Sequence, residues 1–371
     1  MGEKKKCIVA LAPYERGWSN AELVKDCGVI PYLLYKNHGC SVSMVGAKGE
    51  EYSYLEKYVN GLKMEFLPDG SVEAKVRYII ENAKGIDCLI LRGSYTTNFI
   101  PARIYKKLNP EGRIYLGLDA NSHWIDRLIW TDADFMEFMS HCDVIATSCQ
   151  AMQRHLNEKW PWNIEHIPNG YYNFGSNNAP PDFKGKENII ITVSRLGTPQ
   201  KATDILLEAF AAIADKIPDW NLRLVGSIEN DFHDFIASYF RRYPQLKTRV
   251  LFTGPIKERD KLAEQYKNAK VFALPSTCEG GTPNVISKAL NAGCAIAITQ
   301  VDAYAQAIDY GRCGVSAGIN DIPGFANALL ALCANENLSD LLEHAYQYGK
   351  RSFDMEKIVA KLYYMLFGGR R

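Results

Sequence analysis

Two well-separated segments carry the residues best suited to hold an anion. The first is Ile189-Ile-Ile-Thr-Val-Ser-Arg-Leu-Gly-Thr-Pro-Gln-Lys-Ala-Thr-Asp204, in which an apolar strand-like run hands the chain to Arg195 and Lys201 ahead of a helix. The second is Leu274-Pro-Ser-Thr-Cys-Glu-Gly-Gly-Thr-Pro-Asn-Val-Ile-Ser-Lys-Ala-Leu290, where a strand opens into a Gly-rich loop. There Thr282 and Pro283 read as N-cap and first helical residue. Helix N-termini leave N–H groups unpaired and carry partial positive charge, so they attract phosphate oxygens. Gly280 and Gly281 permit close backbone approach. Arg195 offers a planar fork and Lys201 a mobile point charge. The combination predicts a diphosphate site in which charge on a departing nucleoside diphosphate is offset without a metal. A single cation in a loop is commonly solvated surface, and Gly-Gly-Thr-Pro alone is commonly a turn. Their joint occurrence after two strands carries the reading.

The elements that must position these residues alternate. Strands are expected at Cys7–Ala12, Ser41–Val45, Cys88–Arg92, Arg113–Leu118, Val144–Thr147 and Glu165–Ile167. Between them lie helical patterns at Glu22–Lys36, Val72–Ala83, Pro101–Lys107 and Gln150–Glu158, which argues for right-handed βαβ units on a parallel sheet. The turn formers and two prolines of Phe174–Gly185 break the rhythm and mark a linker. A second alternation follows, with strands at Ile189–Val193, Asn221–Val225, Val250–Phe252, Lys270–Leu274 and Ala295–Thr299. Its helices are Asp204–Lys216, Phe232–Tyr243, Arg259–Asn268 and Pro283–Ala292, the last ended by Gly293 at the C′ position. Ligands of such sheets sit beyond the carboxyl ends of the strands.

The chain has 371 residues, 47% hydrophobic and 23% charged, which points to a globular protein of two domains. A net charge of +1 argues against a nucleic-acid binder, since no basic surplus exists to release counterions. Ten scattered cysteines form no Cys-x-x-Cys pair, and several lie in apolar runs, which suits free thiols in a reducing cytoplasm. Met1-Gly-Glu-Lys-Lys-Lys6 lacks a following apolar signal region, and no run approaches the ~20 apolar residues of a spanning helix. A cytoplasmic protein is expected, and any membrane contact is peripheral, at the inner face.

At this point the sequence resembles retaining glycosyltransferases of the GT-B fold, in glycosyltransferase family 4 (glycosyl transferases group 1). The residues that carry the resemblance are Val193–Phe210, Ser276–Val285 and Ile167-Pro-Asn-Gly170, with fainter likeness at Cys142–Ser148 and Glu22–Asp26. It implies an α/β fold of two Rossmann-like, doubly wound parallel-sheet domains facing a central cleft. An N-terminal acceptor-binding domain would occupy residues 1–175 and a nucleotide-sugar-binding domain residues 186–350. The segment 351–371 would form a helix that crosses back onto the N-terminal domain and influences closure. Arg195 and Lys201 would grip the donor diphosphate. Glu279, with the amides from Gly280 to Thr282, would contact the donor sugar, and Pro283 and Asn284 belong to the same donor loop. The resemblance implies transfer with retention, no metal and no cofactor beyond the UDP- or GDP-sugar.

Three departures stand out. The family's second glutamate, eight positions after the first, accepts hydrogen bonds from the ribose; here the position falls on Ser287 or, counted along Pro283-Asn-Val, on Lys288. A His-Asp pair after the fourth N-terminal strand is represented by Leu118-Asp119, with His123 as second choice. The glycine-rich loop after the first strand is reduced to Pro13-Tyr-Glu-Arg-Gly-Trp18, where only Gly17 lets the backbone approach the donor phosphate.

Plainer readings stand beside these. Asp119 follows the apolar run Ile114–Leu118 at a strand's carboxyl end, where a cap on Asn121 or Ser122 is the alternative to positioning an acceptor. His123 reads as a partly buried, hydrogen-bonded histidine more readily than as a base. Asp132-Ala-Asp134 reads as a helix start rather than a metal motif. Glu279 could instead pair with a nearby lysine. Trp18 and Trp124 could stack on an acceptor sugar or belong to the core. Arg103-Ile-Tyr-Lys-Lys107 reads as a solvated helix face more readily than as a lipid contact. The expectation is a hexosyltransferase acting from a UDP- or GDP-sugar on a saccharide or lipid-linked saccharide, in bacterial surface-polysaccharide assembly. A nucleotide-sugar 2-epimerase and a non-catalytic binding subunit are the rivals.

Overall fold

The computed structural model describes residues 5–118, 121–175 and 179–368. The chain divides into two compact units, one of residues 1–174 with 354–371 and one of residues 175–353.

The first unit holds seven strands: β1 (Cys7–Leu11), β2 (Ser41–Ala47), β3 (Lys63–Leu67), β4 (Cys88–Arg92), β5 (Arg113–Leu118), β6 (Val144–Thr147) and β7 (Ile164–His166). They form one parallel sheet in the order β3-β2-β1-β4-β5-β6-β7. The second unit holds β8 (Glu187–Val193), β9 (Asn221–Val225), β10 (Val250–Gly254), β11 (Ala269–Leu274), β12 (Ala295–Thr299) and β13 (Gly314–Ala317), ordered β10-β9-β8-β11-β12-β13 and again parallel. In each sheet the strand order reverses beside the first strand, so a topological switch point lies between β1 and β4 and another between β8 and β11.

Strands covered by helices on both faces bury most of their residues, which explains their largely apolar runs. In the second unit Ile190, Leu222, Leu224, Val271 and Ala273 face one apolar cluster. Their alternating neighbours Ile189, Ile191, Val225, Phe272 and Leu274 face the other. That is the two-residue period of a strand serving two helical layers. The last helix, Met355–Phe367, belongs to the first unit. Met355, Ile358, Val359, Leu362 and Leu366 join the same core as Leu33 and Leu34 of the helix Asp26–His38. The Asp354 carboxylate caps its first turn by accepting from the amides of Glu356 and Lys357, and Met355 N donates to Tyr171 O at 3.1 Å.

Several elements differ from the sequence reading. The helical pattern Glu22–Lys36 is two helices, Asn20–Leu23 and Asp26–His38, because Lys25 is extended (φ −106°, ψ 178°). A Cβ on Gly28 would lie 2.4 Å from the Leu23 main chain, so only glycine lets the two helices close up. The helix after β11 begins at Asn284, not Pro283, because Pro283 keeps an extended ψ of 139° and acts as the N-cap itself. Gly293, at φ +67°, stands one residue past the cap of that helix, as its C′ role requires. Both β3 and β13 were unforeseen; each is a sheet edge.

Candidate functional site

The two segments expected to hold an anion come together in the second unit. The first leaves the carboxyl end of β8 and the second the carboxyl end of β11, and these strands are hydrogen-bonded neighbours flanking the switch point. The β8 loop has a fixed backbone. Leu196 N donates to Ser227 O at 2.8 Å and Leu196 O accepts from Glu229 N at 2.9 Å. Gly197 has φ +92°, and a Cβ there would lie 2.4 Å from Phe232 Cβ. Its amide donates to Thr203 Oγ1 at 3.0 Å, while the amides of Lys201 and Ala202 donate to Thr198 O. Ala202 opens the helix Thr203–Ile213 in the left-handed region (φ 43°, ψ 49°), a conformation that costs an alanine about 1–2 kcal/mol. Such strain persists where the surrounding contacts over-determine it.

Several contacts join the loops, among them one from the Thr277 hydroxyl to Pro199 O at 3.3 Å. Thr277 N donates to Gln200 O at 2.8 Å, Gln200 Nε2 donates to Cys278 O at 3.0 Å, and Lys201 Nζ lies 2.5 Å from Glu279 Oε1. The Glu279 side chain is 7% exposed and that of Lys201 17%. The plain reading of Glu279 as a partner for a lysine thus describes this structure, and that lysine is Lys201. Arg195 leaves the same loop and is exposed; its carbonyl accepts from Thr198 Oγ1 at 3.3 Å. Gly281 has φ +101°, Gly281 and Thr282 are buried, and Gly280, Pro283 and Asn284 are half-buried. Ser287 is 1% exposed and its hydroxyl donates to Asn284 O of its own helix at 3.0 Å, whereas Lys288 is half-buried. Sequence reasoning missed Gln200, whose side chain and carbonyl both bind the opposite loop. Its only signal was adjacency to Lys201.

In the first unit the loops after β1 and β4 flank the other switch point. Gly17 lies in the β1 loop at φ +73°, and a Cβ on it would meet Ala47 O at 1.9 Å, so packing against the β2 end already requires glycine there. Trp18 is 2% exposed and its indole donates to Val45 O, which makes it core. Trp124 is 37% exposed. Asp119 lies outside the described residues. His123 is exposed, not partly buried, on the one-turn helix Ser122–Ile125, where Trp124 N donates to Asn121 Oδ1. Asp132 caps the helix Ala133–Ser140 by accepting from Phe135 N, and Asp134 pairs with Arg103 at 3.0 Å. Arg103 also binds Glu137, and Lys106 binds Asp143 at 2.8 Å, so two cations of the basic string are neutralised within the fold. Lys75, on the helix Val72–Asn82, is 1% exposed, and its ammonium forms no hydrogen bond or ion pair among the described residues. Burial holds its ammonium below the ordinary lysine value of 10.5, with Glu15 pulling the other way.

Among the described residues no group of three or more His, Cys, Asp or Glu is arranged to hold a metal ion, and no helix is long and apolar enough to cross a membrane. All ten cysteines are free thiols.

With this geometry in hand, comparison with known proteins places the second unit. Residues 187–335 match the family model described as Glycosyl transferases group 1. A phosphatidyl-myo-inositol mannosyltransferase of Mycobacterium leprae is 25% identical over 199 residues, 53% of this chain and 51% of that protein. An uncharacterized glycosyltransferase of Haemophilus influenzae is 25% identical over 236 residues, 63% of this chain and 64% of its own. The chain thus spans about half to two thirds of the length of these curated relatives. Among solved structures, Anabaena HepE in complex with UDP superposes with a TM-score of 0.75 at 14% identity, covering 98% of this chain and 100% of that one. The fold is therefore GT-B, two Rossmann-like parallel-sheet units, and residues 187–335 are a glycosyltransferase group 1 domain.

Proposed function

We propose that this protein transfers a hexose from a nucleoside-diphosphate sugar to a saccharide hydroxyl, with retention of configuration and without a metal. The observation that carries the reading is the meeting of Lys201 with Glu279 beside the β8–β11 switch point, with Arg195 exposed in the same loop. In transfer, the bond from the sugar's anomeric carbon to the diphosphate breaks and leaves its electron pair on the departing phosphate. A bond then forms to the acceptor oxygen, whose proton passes to the leaving phosphate. Arg195 and Lys201 offset the growing phosphate charge, the kind of stabilisation worth most when the donors are fixed beforehand. Lys201 shares its three N–H donors between Glu279 and the diphosphate, and Glu279 keeps a second oxygen for the donor sugar's hydroxyls. Amides at Gly280, Gly281 and Thr282, with Pro283 and Asn284 opening the helix, complete the phosphate and sugar contacts.

Of the two candidates for the family's ribose-binding glutamate, Lys288 is the more accessible, since the Ser287 hydroxyl already donates within its helix. As a donor it favours a phosphate oxygen over a ribose hydroxyl acceptor role. Gly17 lets the backbone approach the donor phosphate, and Asp119 positions the acceptor hydroxyl. The nucleotide is UDP or GDP; UDP is supported by the UDP complex of Anabaena HepE. The acceptor is a saccharide or lipid-linked saccharide of a bacterial surface polysaccharide, met in the cytoplasm at the inner face of the membrane. The test is incubation with UDP- and GDP-hexoses in the presence of EDTA, followed by NMR of the sugar anomeric signals. Release of nucleoside diphosphate with an α-linked product from an α-linked donor supports the reading. Isomerisation at C2 without release indicates an epimerase instead.

A further inference from the structure

At the amino ends of β6 and β7 the first unit holds a cavity of about 310 Å³, within the range that small ligands occupy. Parallel sheets of this kind hold their substrates beyond the carboxyl ends of the strands, so the transfer chemistry leaves this cavity unused. The strand β7 is three residues long and pairs only with β6, so the sheet ends there. Val144 and Ile145 of β6, Trp162, Asn163 and Glu165 around the start of β7, and Met365 of the last helix line the cavity.

Its walls are apolar, aromatic and acidic. Trp162 is held by Trp130, Phe135 and Trp160, whose centroids lie 6.4, 6.1 and 6.0 Å away at interplanar angles of 87°, 68° and 87°. Edge-to-face packing of this kind orients the indole before any ligand arrives. The Cys142 thiol, also in the wall, donates to Phe138 O at 3.4 Å and is spent within the fold. The two carboxylates of the wall differ. Asp143 accepts from Lys106 Nζ at 2.8 Å, from Arg113 Nη1 at 2.9 Å and from the Ile114 amide at 2.9 Å, so its charge is offset and its oxygens are engaged. Glu165 accepts only from Asn163 Nδ2, at 2.7 Å, and meets no cation among the described residues. No cationic side chain among them lines the cavity, and Lys361, one turn before Met365, directs its ammonium to His166 O at 3.2 Å.

One uncompensated carboxylate beside an oriented indole and a thioether favours a cation, and hydrogen bonding decides which kind. A hard metal ion needs several oxygen ligands and a primary ammonium three acceptors, whereas the Asp143 oxygens are engaged and Glu165 keeps one oxygen open among the described residues. An alkylated ammonium asks for no acceptor, and its diffuse charge and methyl groups gain from an aromatic face and a polarisable sulfur.

We propose that this cavity binds a small methylated ammonium ion, its charged head set between the Trp162 indole and the Glu165 carboxylate and its alkyl groups against Val144, Ile145 and Met365. The inference goes beyond the transferase reading and does not rest on it. The full chain is titrated with tetramethylammonium, choline, phosphocholine, methylammonium and 3,3-dimethylbutan-1-ol, the neutral isostere of choline, and binding is read by saturation transfer to the methyl protons. Choline or tetramethylammonium is expected to bind about tenfold or more tightly than methylammonium or the isostere. Trp162→Leu and Glu165→Gln should each weaken that binding about tenfold, while Trp162→Phe, which keeps an aromatic face, retains most of it. Phosphocholine that binds as well as choline supports the site as one for a lipid headgroup, and phosphocholine that is rejected supports it as one for a free ion. Absence of binding by every methylated ammonium, equal binding of the neutral isostere, or unchanged affinity in both Trp162→Leu and Glu165→Gln overturns the proposal.

Discussion

Lys201 and Glu279, 78 positions apart in sequence, approach to 2.5 Å and tie together two loops that leave adjacent strands. Both side chains are largely removed from water, so each depends on the other. Removing one partner of a buried pair strands a charge and costs about 3 kcal/mol or more, whereas replacing both is far milder. Lys201→Met and Glu279→Gln are therefore expected to lower the urea midpoint more than the double variant does. Additive losses in the double-mutant cycle would show that the pair is not coupled.

Arg195 should behave in the opposite way. It is exposed and forms no side-chain ion pair among the described residues, so Arg195→Ala should leave stability within about 0.5 kcal/mol. Turnover should nonetheless fall by about 2–3 kcal/mol of transition-state stabilisation, roughly 30- to 150-fold. A variant with normal kcat and normal stability would remove Arg195 from the site.

Lys75 gives a prediction with a pH signature. Burial lowers its pKa in the folded chain below the 10.5 of the free side chain. Between those two values the unfolded chain binds more protons than the folded one, so stability attributable to this residue rises with pH through that window. Below it, the full cost of the buried cation is present. Lys75→Met should raise Tm at neutral pH by about 2 °C or more, and the gap from wild type should narrow as pH approaches 10 to 11. Destabilisation at neutral pH by this near-isosteric change would mean that the ammonium is satisfied in solution.

Gly197 tests whether the shape of the β8 loop matters beyond its charges. Its positive φ and the 2.4 Å approach of Phe232 leave no room for a methyl group. Gly197→Ala should cost about 1–3 kcal/mol as overpacking. By displacing the Thr198–Ala202 turn it should also weaken nucleoside-diphosphate binding, as read by calorimetry, although it removes no charge.

Much of this was legible in the sequence because doubly covered strands are largely apolar. The runs Cys88–Arg92, Arg113–Leu118, Val144–Thr147, Asn221–Val225 and Ala295–Thr299 announce themselves and end where the structure ends them. The edge strand Lys63-Met-Glu-Phe-Leu67 hides, because it pairs on one side only and carries exposed residues at Lys63 and Phe66. Arg195, Lys201, Glu279 and the two glycines could be grouped from their types and the strands before them. The bond from Gln200 to Cys278 could not, since a glutamine announces no partner. The strain at Ala202 was equally hidden, because nothing about an alanine signals a left-handed backbone. The contact of Tyr14 with Tyr95 and of Tyr95 with Trp124 needed the strand order, which alone brings three distant loops to one edge. Trp18 and Trp124 looked alike in sequence; a hydrogen bond to Val45 O and nearly complete burial separate the core residue from the exposed one.

The most direct test of the central claim is a thermal-shift titration of the full chain with UDP and GDP, with uridine and guanosine as controls, in wild type, Arg195→Ala and Lys201→Ala. A ligand bound only by the native state raises Tm in proportion to RT ln(1 + [L]/Kd). The account predicts that at least one nucleoside diphosphate raises Tm while its nucleoside does not, and that either substitution abolishes most of the rise. Equal shifts from diphosphate and nucleoside, or a diphosphate shift that survives both substitutions, would contradict it.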